Sequence, residues 1–266
     1  MRLVKAHALG NDFLLLEHTS AITGHRAALA RALCNRHRGL GADGLILFSG
    51  TDPTRMDLLN ADGSYSEISG NGVRCLAAWL ADRSAAKAGD HVRIETDAGV
   101  KRLQLLDRRG TRMTFRAEMG QPEEVAMTSL DVDGEMIDVV TLRVGNPQCV
   151  VLGDVTYDRL QTLAARLSVH RHFPQGTNVE LAAVDDAGHL RILIWERGVG
   201  PTEASGTGAC AAAVAAMTYG GAARDVAVAA PGGVQRVEWH DDGLYLTGWA
   251  EIIAECEWRV SLDATA

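Results

Sequence analysis

The chain repeats itself at a nearly constant distance, and that repetition limits its possible folds more than any other feature. Gly10-Asn11 returns as Gly145-Asn146 and Gly41 returns as Gly176, at one identical offset. Ser69-Gly70-x-Gly72 returns as Ser205-Gly206-x-Gly208 at an offset longer by a single position, and Glu67 and Glu203 precede the two motifs at that same interval. A single dipeptide match means little. One offset, constant to within a position across three separated motifs and close to half of the 266 residues, predicts an internal duplication with two halves related by a pseudo-two-fold axis.

The local signals agree with two mixed α/β halves. Leu3 to Leu9 and Phe13 to Glu17 read as strands joined at Gly10-Asn11-Asp12, whose residues supply the backbone freedom of a tight turn. Gly24 to His37 carries Ala and Leu at helical spacing, Leu45 to Ser49 and Met56 to Asn60 read as strands, and a second helix runs from Gly70 to about Ala86. Short alternating runs from His91 to Arg116, separated at Asp97-Ala98-Gly99 and at Asp107 to Gly110, predict antiparallel strands. Gly120-Gln121-Pro122-Glu123-Glu124 is polar, holds a proline and reads as the connection between halves. The order then recurs: strands to Gly145, a helix at Asp158 to Val169, strands at Val179 to Ala183 and Leu190 to Glu196, and a helix opened by Gly206. Strand-like sequence follows from Gln235 to Val260. The expected halves are 1–119, carrying Ser69, and 120–253, carrying Ser205, with 254–266 returning to the first as a strand.

Composition excludes several classes. Lys and Arg number 26 against 34 Asp and Glu, a formal charge of −8 that opposes polyanion binding, so nucleic acid is not an expected partner. The longest apolar run, Ala209 to Met217, falls well short of the roughly 20 residues that span a bilayer. The N-terminus shows no secretory pattern, so a cytoplasmic location is expected. Five cysteines, odd in number and never in a Cys-x-x-Cys arrangement, read as reduced thiols, mostly buried.

The paired glycine motifs place a Cβ-poor backbone just before a helix, where free N–H groups and the positive helix end can approach a carboxylate or phosphate. Gly39-Leu40-Gly41-Ala42-Asp43-Gly44 has the spacing of a dinucleotide fingerprint but follows a helix and precedes a strand, the reverse of what pyrophosphate binding needs. His170-Arg171-His172 reads as a solvated loop rather than a metal site, so no metal is expected. The run Ala209 to Met217 is apolar on all sides, which predicts a helix buried along its length.

Gly10-Asn11-Asp12-Phe13, Gly41-Ala42-Asp43-Gly44, Asn60-Ala61-Asp62-Gly63-Ser64, Gly70-Asn71-Gly72-Val73-Arg74-Cys75, Gly145-Asn146-Pro147, Thr177-Asn178-Val179-Glu180, Glu196-Arg197-Gly198-Val199-Gly200 and Gly206-Thr207-Gly208-Ala209-Cys210 together resemble the diaminopimelate epimerase family, in order over nearly the whole chain. The resemblance implies two α/β halves, each a β-sheet rolled around a central helix, with a site in the cleft between them. It implies a cofactor-independent inversion of the α-carbon of LL-diaminopimelate to the meso form, a step toward lysine, by two opposed cysteines acting as base and acid. By the same resemblance Asn60, Asn146, Asn178 and Arg197 hold the distal amino-acid end of the substrate. Asn11, Gly70, Asn71, Gly206 and Thr207 hold the reacting end, and Glu196 is an ionisable neighbour. The partner is a small amino acid, and the family allows a homodimer.

The sequence departs from the family at the decisive places. Ser69 and Ser205 occupy the two cysteine positions, and Gln148 stands where the family usually has histidine. A serine hydroxyl fits the space of a thiol but is far less acidic, so this form is expected to bind and turn over poorly. Three readings stay open at this point: a serine form of a diaminopimelate epimerase, an epimerase or racemase of another amino acid suggested by Gln148, and a non-catalytic amino-acid binder. The paired exchange fits either a deliberate inactivation or a natural homologue.

Overall fold

The structure, a computed structural model, describes residues 1–18, 24–50 and 52–259. It divides into two compact units, Met1–Ala117 joined by the chain from Trp249 onward, and Glu118–Gly248. The expected return of 254–266 therefore begins earlier, inside a strand, and its last residues, 260–266, lie outside the described ones.

In the first unit β1 (Arg2–Ala8) pairs antiparallel with β2 (Asn11–Glu17), and helix α1 (Arg26–Cys34) carries the chain to β3 (Gly44–Ser49), which lies parallel to β2. Strand β4 (Thr54–Asn60) is antiparallel to β3 and to the short β5 (Tyr65–Ser66). Helix α2 (Gly70–Arg83) then leads to β6 (His91–Thr96), parallel to β4, followed by the antiparallel β7 (Gly99–Arg109) and β8 (Arg112–Gly120). Parallel neighbours need a long crossover, and each of the two parallel joints has a helix in it.

The second unit repeats this order after strand β9 (Glu123–Val132), which is antiparallel to β10 (Glu135–Arg143). Strands β10 and β11 (Pro147–Leu152) pair antiparallel; β12 (Asn178–Asp186) lies parallel to β11; β13 (His189–Glu196) is antiparallel to β12 and to β14 (Gly200–Thr202). Between β11 and β12 the chain forms α3 (Tyr157–Arg159), a π-helical turn (Leu160–Ala164) and α4 (Ala165–Ser168) as one continuous rod. Helix α5 (Gly206–Tyr219) leads to β15 (Asp225–Ala230), parallel to β13, and then to β16 (Gly233–His240) and β17 (Gly243–Glu257). The second half of β17 pairs with β1, Arg2 opposite Glu257, and closes the first unit. Every parallel and antiparallel joint of one unit has its counterpart in the other. Backbone conformation repeats too: Gly10 and Gly145, Gly41 and Gly176, and Gly63 and Gly198 all have positive φ.

Three boundaries differ from the sequence expectation. The first hairpin turns at Leu9-Gly10, both at positive φ as a two-residue primed turn requires, so Asn11 and Asp12 already belong to β2. Strand β7 continues through Asp107 to Arg109 and turns at Gly110, since its outer end is exposed and tolerates charge on every residue. The expected connection at 120–124 is shorter than the sequence suggests: only Gln121 and Pro122 lie outside strand, β8 ending at Gly120, three residues past the boundary between the units, and β9 starting at Glu123. Polar composition there marks exposed strand on either side of a two-residue connection.

Each unit wraps its sheet around one central helix. Helix α5 is buried from Gly206 through Ala216, and its run of alanines lets β11, β12, β13, β15 and β16 close in on all sides. Helix α2 buries Val73, Cys75, Leu76, Ala77, Ala78 and Ala81 against β1, β2, β6 and β7. The other helices are one-sided: α1 buries Leu29, Ala30 and Leu33 against β-strand residues such as Leu14, Leu45 and Leu47, and the 157–168 rod buries Leu160, Ala164 and Leu167 against Val179, Leu181 and Leu193. Leu76 is fully buried. Leu76→Ala is expected to cost about 2–5 kcal/mol from lost transfer energy and the cavity left behind. Urea unfolding checks this, and an unchanged midpoint would contradict the placement of α2 at the centre of its unit.

Candidate functional site

Both central helices begin on the serine that the sequence singles out. Ser69 and Ser205 are the N-cap residues of α2 and α5, in extended conformation (φ −131° and −136°). The Ser69 Oγ accepts the Gly72 N–H at 3.1 Å, and the Ser205 Oγ accepts the Gly208 N–H at the same distance. A helix leaves its first four N–H groups without intrahelical partners, and a serine hydroxyl satisfies one of them. The cap is therefore what fixes each hydroxyl at the positive end of its helix.

The glycines two positions into each helix have a packing cause. A Cβ at Gly208 would lie 2.7 Å from Glu180 Oε1, and a Cβ at Gly72 would lie 3.1 Å from Ile46 Cδ1 and 3.3 Å from Met56 Cε. Tight contact with their own unit accounts for these two residues without a ligand.

In the first unit the structure brings Asn11, Ser69, Gly70 and Asn71 to the tip of α2. Asn71 Nδ2 donates to Asn11 Oδ1 at 3.2 Å. Asn60 is not joined to them by a hydrogen bond of the structure; its amide donates to Ser64 Oγ at 2.9 Å and holds the turn after β4. In the second unit Thr207 Oγ1 lies 3.4 Å from Ser205 Oγ. Asn178 Oδ1 accepts the backbone N–H of Arg197 at 2.9 Å, which ties the end of β12 to the turn after Glu196. The Arg197 guanidinium is exposed and donates to the Gln175 carbonyl at 3.2 Å. Asn146 Oδ1 accepts the Gln148 amide at 2.6 Å, and Gln148 is buried. A cavity of about 390 Å³ adjoins these residues, lined by Arg143, Pro147, Gln148, His172, Phe173 and Gln175.

The remaining thiols offer no substitute for the serines. Cys75 and Cys210, one turn or more inside the two helices, are fully buried, and burial pushes the Cys75 thiol well up. His170 is engaged with the Asp131 carbonyl at 3.0 Å, and His172 packs edge-on against Phe173. Among the described residues no group of three or more His, Cys, Asp or Glu is placed to hold a metal ion.

Glu180 is a site residue to which sequence reasoning assigned no role. It lies on β12 beneath the α5 tip, fully buried, and neither carboxylate oxygen has a hydrogen-bond partner. Burial first, and the neighbouring Glu196 second, hold its carboxyl well above the usual carboxylate range. The signal in the sequence is a charged residue inside the apolar run Val179 to Ala183.

That raised value has a definite sign for stability. The unfolded chain ionises Glu180 near its ordinary value of about 4.3, whereas the folded chain keeps it neutral to higher pH. Between the two values the unfolded state loses a proton that the native state retains. The contribution is thus complete at low pH and is lost as pH rises through the folded value, at up to about 1.4 kcal/mol per pH unit. Urea unfolding of the parent and of Glu180→Gln from pH 5 to 8 should show the parent losing stability relative to the variant. Parallel profiles would mean that the carboxyl is not held neutral.

Comparison with known proteins agrees with the repeated wiring. The sequence profile of the family described as diaminopimelate epimerase matches residues 3–125 and 140–253. The diaminopimelate epimerase of Desulforudis audaxviator is 41% identical over 97% of this chain and 99% of its own, and that of Desulfitobacterium hafniense is 38% identical over 95% and 96%. In fold the chain is similar to a probable proline racemase from Agrobacterium radiobacter K84, with a TM-score of 0.77 at 15% identity over 98% of this chain and 93% of that one. With the duplication, the two capped central helices and the near full-length matches in agreement, the chain belongs to the diaminopimelate epimerase family.

Proposed function

We propose that this chain binds diaminopimelate and inverts its α-carbon slowly, as a serine form of a diaminopimelate-epimerase-type isomerase. One observation carries the reading: Ser69 and Ser205, to which the family resemblance assigns proton transfer, each cap a buried helix with the hydroxyl 3.1 Å from an N–H of that helix. Relatives that carry the family's name over nearly the full length of the chain support the substrate.

The physical steps follow from that arrangement. A substrate α-carboxylate is stabilised by the positive ends of helices, most strongly as carbanion character develops on the α-carbon. Asn11, Gly70, Asn71, Gly206 and Thr207 hold that end, while Asn60, Asn146, Asn178 and Arg197 hold the distal end, where a guanidinium can grip a carboxylate with two parallel bonds. Inversion then needs a base on one face and an acid on the other, the roles of Ser69 and Ser205, with Glu196 as their ionisable neighbour. A thiol at a helix tip reaches its anion readily from about 8.5 downward. A hydroxyl is weak without an adjacent base. Binding survives the exchange and proton transfer is slowed. The reading routes no step through a cofactor and places the protein in the cytoplasm, as a monomer or a homodimer.

Gln148 favours a second reading, in which the same machinery serves another amino acid, because its buried amide holds Asn146, one of the distal binding residues. Ser69→Cys combined with Ser205→Cys separates the two. The double variant in heavy water should exchange the α-proton of LL- or meso-diaminopimelate at least about a hundredfold faster than the parent, the range by which a matched acid or base accelerates proton transfer. Exchange confined to other amino acids supports the second reading, and no exchange on any amino acid rejects both.

A further inference from the structure

Side chains of the first unit form a hydrogen-bond chain with a fixed direction. The guanidinium of Arg74, fully buried on α2, donates to Asn71 Oδ1. Asn71 Nδ2 donates to Asn11 Oδ1 at 3.2 Å, and Asn11 Nδ2 donates to Asp43 Oδ2 at 2.8 Å. That same Asp43 oxygen accepts the Asp12 backbone N–H at 3.0 Å, and the other accepts Arg36 Nη2 at 2.7 Å. The direction does not depend on how either amide is drawn. A guanidinium only donates and a carboxylate only accepts, so a cation at one end and an anion at the other admit a single orientation for both carboxamides. Each oxygen turns toward Arg74 and each NH2 toward Asp43.

We propose that Asp43 and Arg74 are positioning residues of the amino-acid site, which lock the carboxamides of Asn11 and Asn71 so that the pair meets a substrate carboxylate with N–H groups rather than carbonyl oxygens. This rests on the proposed function, in which Asn11 and Asn71 hold the reacting end of the substrate. An amide nitrogen carries two hydrogens, and Asn11 uses one of them on Asp43, leaving the other for a ligand. A carboxamide turned the other way would set its lone pairs against a carboxylate.

The duplication supplies an internal control. At the offset of the repeat, Asn178 is the counterpart of Asp43, and Thr207 and Cys210 are the counterparts of Asn71 and Arg74. The second unit therefore builds the same capped helix tip with an asparagine and a cysteine where the first has Asp43 and Arg74. The fold does not require the charged relay, so its presence in one half belongs to what that half binds.

Asp43 is the end to test, because its side chain is 42% exposed and its replacement leaves the core intact. Asp43→Asn removes the group that can only accept and frees the Asn11 amide to turn over. Calorimetric titration of the full chain with meso-diaminopimelate should show binding about tenfold weaker, as expected for loss of a charge-assisted bond. Asp43→Glu should recover most of that loss, with the thermal midpoint of both variants near the parent's. In nitrogen-15 spectra the Asn11 side-chain amide should pass from one pair of signals to two in Asp43→Asn. Parent-like binding by Asp43→Asn while Asn11→Ala binds at least about tenfold more weakly would overturn the relay and leave the proposed function standing. Weak binding that Asp43→Glu does not recover, with a lowered midpoint, would also overturn it by making Asp43 merely structural. Absence of binding by the parent would overturn the proposed function itself.

Discussion

A helix surrounded by sheet on all sides still begins with N–H groups that no residue of its own can satisfy. In this chain that requirement arises twice, at the starts of α2 and α5, and a serine hydroxyl meets it twice. The rest of the arrangement depends on these caps. They let an apolar helix end in a polar tip without exposing its flank, they hold Oγ at the positive end of the helix, and they bring the following glycines against Ile46, Met56 and Glu180. The proposed function asks these same hydroxyls to exchange a proton, so in that reading one atom serves both the helix start and the reaction. As a cap, serine is among the best residues available. As an acid or base it is poor without an adjacent base.

The two units share their wiring but not their electrostatics. The α2 tip is charged at both ends of its hydrogen-bond chain, with Arg74 inside and Asp43 outside. Asp43 is in turn tied to Asp12, whose carboxyl burial works to raise but which hydrogen bonds from Arg36 and Lys5 hold below the usual range. The α5 tip has instead Ser205, Thr207 and the buried carboxyl of Glu180, which burial and the neighbouring Glu196 hold well above the usual range. One duplicated scaffold thus offers one half with a charged hydrogen-bond chain at its helix tip and one half without it.

Much of the fold is legible in the sequence because its signals are local. The constant offset announces the repeat; alanine and leucine spacing announces α1 and the 157–168 rod; the all-round apolar run announces that α5 is buried. Polarity is the signal that misleads: exposed strand tolerates charge, so Asp107 to Arg109 and Glu123-Glu124 read as connections although they are strand. The chain's return into the first unit at Trp249 is invisible for another reason, since no composition change marks the middle of a continuous strand. For the candidate site, the motifs locate the residues but not their tasks. Asn11 meets Asp43 and Asn71 from 32 and 60 residues away, and Glu180 on β12 lies against Gly208 on α5. Such partners are set by the fold, and single-residue chemistry does not disclose them.

The central claim is that the capped helix tips retain a diaminopimelate site while the serines withhold the proton transfer. Proton NMR of the unmodified protein with LL-diaminopimelate in heavy water tests both halves of that claim in one sample. The account predicts saturation transfer from protein to ligand, competed by the meso isomer, with the α-proton signals undiminished over hours. Rapid loss of the α-proton would show that the serines are competent, and absence of saturation transfer would show that the site does not hold this substrate.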